Sequence, residues 1–428
     1  MTLVSPLPPN VYRLDAPPAP ATSQLDGSQR TSVAIIGGGI VGLTTALHLA
    51  QAGTDVVVLE ANEPGWGASG NNGGQLNPGL KFDPDTVEET WGPDLGRRMV
   101  AFAWDTPNRT FALIERLGIA CDAHRGGTLR AARSAKARGA VETTARQCIA
   151  RGLPVTWLDK EATRAATGTD AYYGAMLDAS GGNLNPLAYS RGLARAAIAA
   201  GARIHGGTRA LELSPMAGGW SITTPAGTLK AEKILIATNG FTDDLWSGLR
   251  QTLVPVYSAI AATEPLREDI RASFMTGRPS VYESGRITVY YRIDARGRLL
   301  MGGRGPMRAI SSPDAISYLT DYAVQLWPQL KGVRWTHGWN SQLAITKDHW
   351  PHIHEPSPDA LIYLGCNGRG VALGTAIAEQ LAGRLLHGAA FELDLPVVAP
   401  KSIAFHAFWP LGVRAEVLRG RILDRLGL

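Results

Sequence analysis

Three glycines and an acid near the start of the chain carry its clearest chemistry. Gly37, Gly39 and Gly42 fit G-x-G-x-x-G. The first glycine permits a tight turn, the second lets backbone approach a pyrophosphate, and the third lets a helix lie close to a sheet. The flanking sequence has the context this pattern requires. Residues 33–36 form an apolar, β-branched run, read as a buried parallel strand, and Leu43, Ala46, Leu47 and Ala50 follow at helical spacing. Residues 56–59 make a second strand. Glu60 stands at its end, where a carboxylate accepts hydrogen bonds from both hydroxyls of an adenosine ribose. The pattern predicts a bound dinucleotide.

Two further glycine-rich stretches have the grammar of ligand loops. Residues 65–75 hold Gly65, Gly67, Gly70, Gly73 and Gly74 with Ser69, Asn71, Asn72 and Gln75, and read as a loop, not a regular element. Its backbone N–H groups are free to face a ligand. Residues 361–382 repeat the opening pattern: an apolar strand, a turn through Gly365, Gly368 and Gly370, and an apolar-faced helix. The start of such a helix carries about half a positive charge and stabilises an anion. A buried strand also ends at Asn239 and Gly240, in a turn expected beside a phosphate or ribose.

Candidates for the substrate end are less sharply marked. Tyr257, Tyr290, Tyr291 and Arg292 fall on strand-like stretches. Arg292 reads either as a bidentate carboxylate clamp or as a structural ion pair, and the tyrosines either as an aromatic wall or as sheet-face residues. Lys347 is a candidate for promoting reaction of oxygen, against the alternative of a solvated surface lysine. His349, His352 and His354 surround Pro351 and read as a loop, so no metal site is expected.

The elements that position these residues make an α/β (α+β) chain. Alternating β-branched stretches at 253–263, 280–303 and 333–345 imply a second, mostly antiparallel sheet inserted into a Rossmann-like dinucleotide domain. The expected division is a Pro-rich extended tail over 1–30 and a first domain from 31–95, 165–245 and 340–394. A second domain takes 96–164 and 246–339, and a basic tail over 395–428 becomes helical from about Arg414. One helix is expected over 312–328. The formal net charge is +5 over 428 residues, without a run of like charge, which argues against nucleic-acid binding. Three cysteines without a C-x-x-C pair fit a reducing, cytoplasmic setting. No signal peptide or membrane span is read.

Together these motifs resemble the D-amino-acid-oxidase-type family of FAD-dependent oxidoreductases, and within it γ-glutamylputrescine oxidase and related amine oxidases. Those show GASGRNGGQ where this chain has residues 67–75. The resemblance implies FAD bound through Gly37, Gly39, Ile40, Gly42, Glu60 and Ala61, with Asn239 and Gly240 nearby. It implies a flavin lined by Gly67, Ala68, Ser69, Asn72, Gly73, Gly74 and Gln75, and by Gly365, Gly368, Gly370 and Val371. Asn71 stands where the subfamily shows arginine, so one positive charge is missing from that loop. Monomeric sarcosine oxidases attach FAD through a cysteine shortly before a T-P-D segment. Residues 339–345, just before Thr346-Lys347-Asp348, hold no cysteine, so the flavin is expected to be non-covalent. The implied reaction is hydride removal next to an amine, then hydrolysis of the imine. Electrons pass to O2, giving H2O2. The alternatives are a dehydrogenase passing them to a quinone or other carrier, and a flavin-binding module without turnover.

Overall fold

A computed structural model describes residues 7–285 and 288–426. Two eight-stranded sheets organise them. The first runs, edge to edge, through His352–Ser357, Ala360–Leu364, Gly227–Ile236, Gly27–Ile36, Val56–Leu59 and Arg203–His205, with Gly219–Thr223 and Glu212–Met216 appended. The middle strands are parallel, and Ile36 lies beside both Leu59 and Ile236. All four residues of Val56–Leu59 are buried, as a parallel strand covered on both faces requires. Helices Ile40–Gln51, Pro186–Ala199 and Gly370–His387 bury their apolar faces in the larger core cluster.

The second sheet runs Trp335–Thr346, Leu253–Thr263, Leu299–Arg304, Tyr290–Ile293, Ser280–Ser284, Thr128–Ala132, Ala175–Asp178 and Val155–Leu158. Every pairing is antiparallel except Ser280–Ser284 with Thr128–Ala132. The hairpin turn between Tyr290–Ile293 and Leu299–Arg304 closes by a Gly297 N–H to Asp294 carbonyl bond of 3.0 Å, with Gly297 at φ +75°. This is the expected architecture of a Rossmann-like sheet with an inserted, mostly antiparallel one. Ala175–Asp178 pairs with Thr128–Ala132, although it falls within the 165–245 stretch assigned to the first domain.

Several local expectations need correction. Of the 1–30 tail, the described residues 7–30 are not a loose surface segment. Val11–Leu14 forms a 3-10 turn, and Val11, Tyr12 and Leu25 are buried. Its composition is proline-rich, but the Tyr12 ring packs edge-on to Trp339 at 5.3 Å and its hydroxyl donates to the Asn72 carbonyl at 2.7 Å. The glycine-rich loop contains one helical turn, Ala68–Asn71, stabilised by side-chain bonds that glycine content does not reveal. The helix over 312–328 is three pieces, Pro313–Ile316, Ser317–Leu326 and Pro328–Leu330, the last two separated because Pro328 excludes Trp327 from helical backbone. The final helix begins at Trp409, ahead of Arg414. His352 and His354 stand on the edge strand His352–Ser357, not in a loop.

Candidate functional site

The dinucleotide turn is built by close backbone contact. Gly37 leaves the first strand at φ +112°, a region that L side chains rarely adopt. A Cβ on Gly42 would stand 2.0 Å from the Gly37 carbonyl oxygen, so the helix rests directly on the turn. One Glu60 oxygen accepts from the Gly38 N–H at 2.7 Å and the other from the Asn62 N–H at 2.8 Å. Each oxygen keeps acceptor capacity for a ribose hydroxyl. Burial raises the Glu60 pKa, and the two backbone donors oppose the rise. Ser69 Oγ accepts from the Ile40 N–H at 3.0 Å, tying the glycine-rich loop to the helix start.

A cavity of about 550 Å³ lies beyond this turn, between the two sheets. Gly39, Ile40, Ala68, Ser69, Asn72, Gly73, Gln75, Asn239, Gly368, Gly370 and Val371 all line it, so three separate glycine-rich stretches meet on one space. Gly37, Gly42, Glu60, Ala61, Gly67, Gly74, Gly240 and Gly365 are not part of its wall. The Gly370–His387 helix starts at the wall with no side-chain cap, which leaves its first N–H groups free for an anion. Tyr363 also lines the cavity, and its buried hydroxyl has no hydrogen-bond partner. Free amides, an unpaired hydroxyl and an acid at the ribose position fit FAD as a donor and acceptor set. Asn239 joins two of the turns. Its Oδ1 accepts from the Gly365 N–H at 3.0 Å, and its Nδ2 donates to Cys366 Sγ at 3.4 Å. Burial raises the Cys366 thiol pKa.

The second sheet contributes a different set from the one expected. Tyr257 and Tyr290 line the cavity, and Tyr290 Oη meets Ser258 Oγ at 2.8 Å. Tyr291 does not. It points to the opposite sheet face, with its hydroxyl 2.6 Å from that of Tyr172 and its ring edge-on to Trp327 at 5.0 Å. Arg292 is no substrate clamp either. Its Nε donates to the Gly73 carbonyl at 2.6 Å and its guanidinium to the Leu184 carbonyl at 2.9 Å, so it fastens the loop from behind. Lys347 is exposed in the turn after Trp335–Thr346, outside the cavity wall.

Replacing Arg292 with leucine leaves two carbonyls without that donor. The expected cost is about 2–4 kcal/mol of unfolding free energy, read by urea titration of the apoprotein. A substrate clamp would instead raise KM at unchanged stability.

Asn71 is a brace. Its Nδ2 donates to the Trp66 and Gly67 carbonyls at 2.7 and 2.8 Å, and its Oδ1 accepts from Asn10 Nδ2 at 2.7 Å. The Trp339 indole donates to its carbonyl at 3.0 Å. Asn71 therefore ties the loop to the docked N-terminal segment through Asn10.

Sequence reasoning missed the charged part of the wall. Lys81, Arg130, Arg304 and Arg369 all line the cavity. Among the described residues none of the four has a carboxylate within 4.0 Å. The one acid in the wall, Glu283, accepts from the hydroxyls of Tyr172 at 2.8 Å and Tyr322 at 2.6 Å, with Arg133 at 3.3 Å. The Lys81 side chain is exposed by its accessible surface and opens onto the cavity, with Arg130 and Arg369 in the same wall. Burial first, then the charges of Arg369 and Arg130, lower its pKa to about 8. Nothing in the local sequence of a lone lysine signals this; only the fold brings it beside Arg369.

The family description FAD dependent oxidoreductase (DAO) matches residues 32–384. The chain is 32% identical over 399 residues to "Probable oxidoreductase OrdL" of Rhizobium meliloti (strain 1021), covering 92% of each. It is 34% identical over 379 residues to "Gamma-glutamylputrescine oxidoreductase" of Escherichia coli (strain K12), covering 86% of this chain and 87% of that one. Glycine oxidase from Geobacillus kaustophilus shares the fold, with a TM-score of 0.74 at 22% identity over 88% of this chain and 99% of that one. With the three glycine turns gathered on one cavity and the match spanning both sheets, the chain belongs to the DAO family of FAD-dependent oxidoreductases.

Proposed function

We propose that the enzyme oxidises the carbon next to an amine in a substrate that also carries a carboxylate. The observation that supports this most is the charge of the wall, where Lys81, Arg130, Arg304 and Arg369 face a single, already hydrogen-bonded Glu283. Such a wall attracts an anion, and planar guanidinium groups suit a carboxylate. Two relatives support the same class by name, a γ-glutamylputrescine oxidoreductase and a glycine oxidase.

Bound FAD supplies the hydride acceptor and passes the electrons on. The chain does the rest. Lys81 and Arg369 hold the carboxylate, and Tyr257 and Tyr290 form a wall that orients the amine. The amine must be neutral for its lone pair to help the hydride leave, and neighbouring cations disfavour its ammonium form. The free amides at the start of Gly370–His387 stabilise negative charge that develops on their side of the cavity. Amine, water and O2 then yield a carbonyl product, ammonia and H2O2. FAD is held non-covalently. The three cysteines are unpaired, which supports a reducing setting such as the cytoplasm. A second reading, with a quinone as acceptor, is favoured by one observation: an exposed apolar surface at Phe405, Phe408 and Leu411, around the start of the helix whose Val417 lines the cavity.

Anaerobic bleaching of the flavin tests the substrate class. Amino acids, N-methyl amino acids or acyl-diamines bearing a carboxylate are expected to bleach it, and plain polyamines are not. Bleaching by polyamines alone would sink the reading. Admitting air with a peroxide assay then separates oxygen from a quinone.

A further inference from the structure

The C-terminal helix Trp409–Leu426 has two apolar faces, and only one is used. Val413 and Val417 are half-buried and Gly420 is buried against the protein, and Val417 lines the cavity. On the other side Phe408 is 63% and Leu411 60% exposed, with Ala415 exposed as well. In the sequence the apolar residues continue at the same three- and four-residue spacing through Leu418 and Ile422. Phe405, at 85% exposure, stands just ahead of the helix in the left-handed region, φ +56°. The turn that presents it is fixed: the Ile403 N–H donates to the Gln251 carbonyl at 2.9 Å, and the His406 Nε2 is 2.8 Å from the Leu253 carbonyl. Exposed Lys401, Arg414 and Arg419 flank this apolar face, with Arg419 paired to Glu416 at 3.3 Å, which leaves Lys401 and Arg414 in basic excess. A solvated surface helix would put polar residues there.

We propose that this face seats the protein on an anionic lipid bilayer, with Phe405, Phe408 and Leu411 entering the interface and the flanking basic residues meeting lipid phosphates. Charge favours lipid over a second copy. A twofold contact pairs this face with itself, so the basic flanks Lys401 and Arg414 would meet basic flanks, whereas lipid phosphate complements them. Among the described residues no helix is long and apolar enough to cross a membrane, so the attachment is peripheral. Val417, on the inner face of the same helix six residues after Leu411, lines the cavity. Docking does not depend on which amine is oxidised or on the acceptor.

Co-sedimentation of the holoenzyme with vesicles tests this. Vesicles of phosphatidylcholine with roughly equal phosphatidylglycerol should carry most of the protein down, and phosphatidylcholine alone little. About 1 M salt, where the screening length is about 3 Å, should release it. The triple variant F405S/F408S/L411S should partition at least ~10-fold more weakly while keeping its flavin. The charge reversal R414E/R419E should lose the preference for phosphatidylglycerol. Wild-type protein left in the supernatant, or a triple variant that binds as well as wild type, would overturn the proposal. So would a wild-type dimer that the triple variant splits without any vesicle binding, since the face would then join two copies. Substrate bleaching is read without vesicles, so its failure is distinct from failure to dock.

Discussion

Gly42→Ala is expected to yield a protein that folds but carries no FAD. A Cβ there meets the Gly37 carbonyl oxygen at 2.0 Å and Ile35 Cγ2 at 3.1 Å. Carbon and oxygen do not approach below about 3 Å, so the helix must move about 1 Å off the turn. The displaced part is the one that matters, because the N–H groups at the helix start point at the pyrophosphate position and their hold on an anion decays within the first turn. Flavin content should fall at least ~10-fold, read as flavin released into the supernatant after denaturation. For wild type all the flavin should appear there, and flavin left on the precipitated chain would refute non-covalent attachment. Gly139→Ala is the control. It lies mid-helix in Ala135–Ala150 with nothing within 4 Å of the added carbon. It should retain full flavin and gain about 0.5–1 kcal/mol of stability.

The residues that the sequence marked well are those whose chemistry is backbone chemistry. A glycine in G-x-G-x-x-G records a distance that only glycine permits, so Gly37, Gly39 and Gly42 could be read without a partner in view. Glu60 was legible because its distance along the chain from that turn is set by one helix and one strand. The second sheet records less. Alternation says that Tyr290 and Tyr291 face opposite ways but not which way the cavity lies, and both faces of this sheet are covered, so both look alike. Arg292 shares the face of Tyr290, yet its guanidinium is spent on the Gly73 and Leu184 carbonyls, contacts 219 and 108 residues away along the chain. Lys347 and Lys81 are equally lone lysines in sequence. Both side chains are exposed, but Lys347 stands outside the cavity wall and Lys81 lines it with Arg130 and Arg369. Asn71 looked like a lost charge and proved to be a brace, because its partner Asn10 lies 61 residues earlier, in a tail whose composition suggested no structure.

Lys81→Met should have the second large effect, and its sign depends on the quantity measured. For a carboxylate-bearing amine, kcat/KM near pH 7 is expected to fall about 10- to 100-fold, the loss of a hydrogen bond to a charged group. The free lysine has a pKa lowered to about 8. Its charge is therefore present below that pH and lost above it. The ratio of wild type to variant should be largest at neutral pH and decline toward unity as pH rises through 8, because kcat/KM reports groups of the free enzyme. Stability of the apoprotein runs the other way. A lysine whose folded pKa lies below its ordinary 10.5 binds its proton more readily when unfolded, so the charged form opposes folding below pH 8. That penalty shrinks between pH 8 and 10.5 and is absent above. Lys81→Met should thus be more stable than wild type at pH 7, with the gap closing as pH rises through this window. A lysine that merely supported the wall would give a variant that is less stable and equally impaired at every pH. Gain of stability with loss of turnover is the signature of a cation kept, against its folding cost, for a ligand.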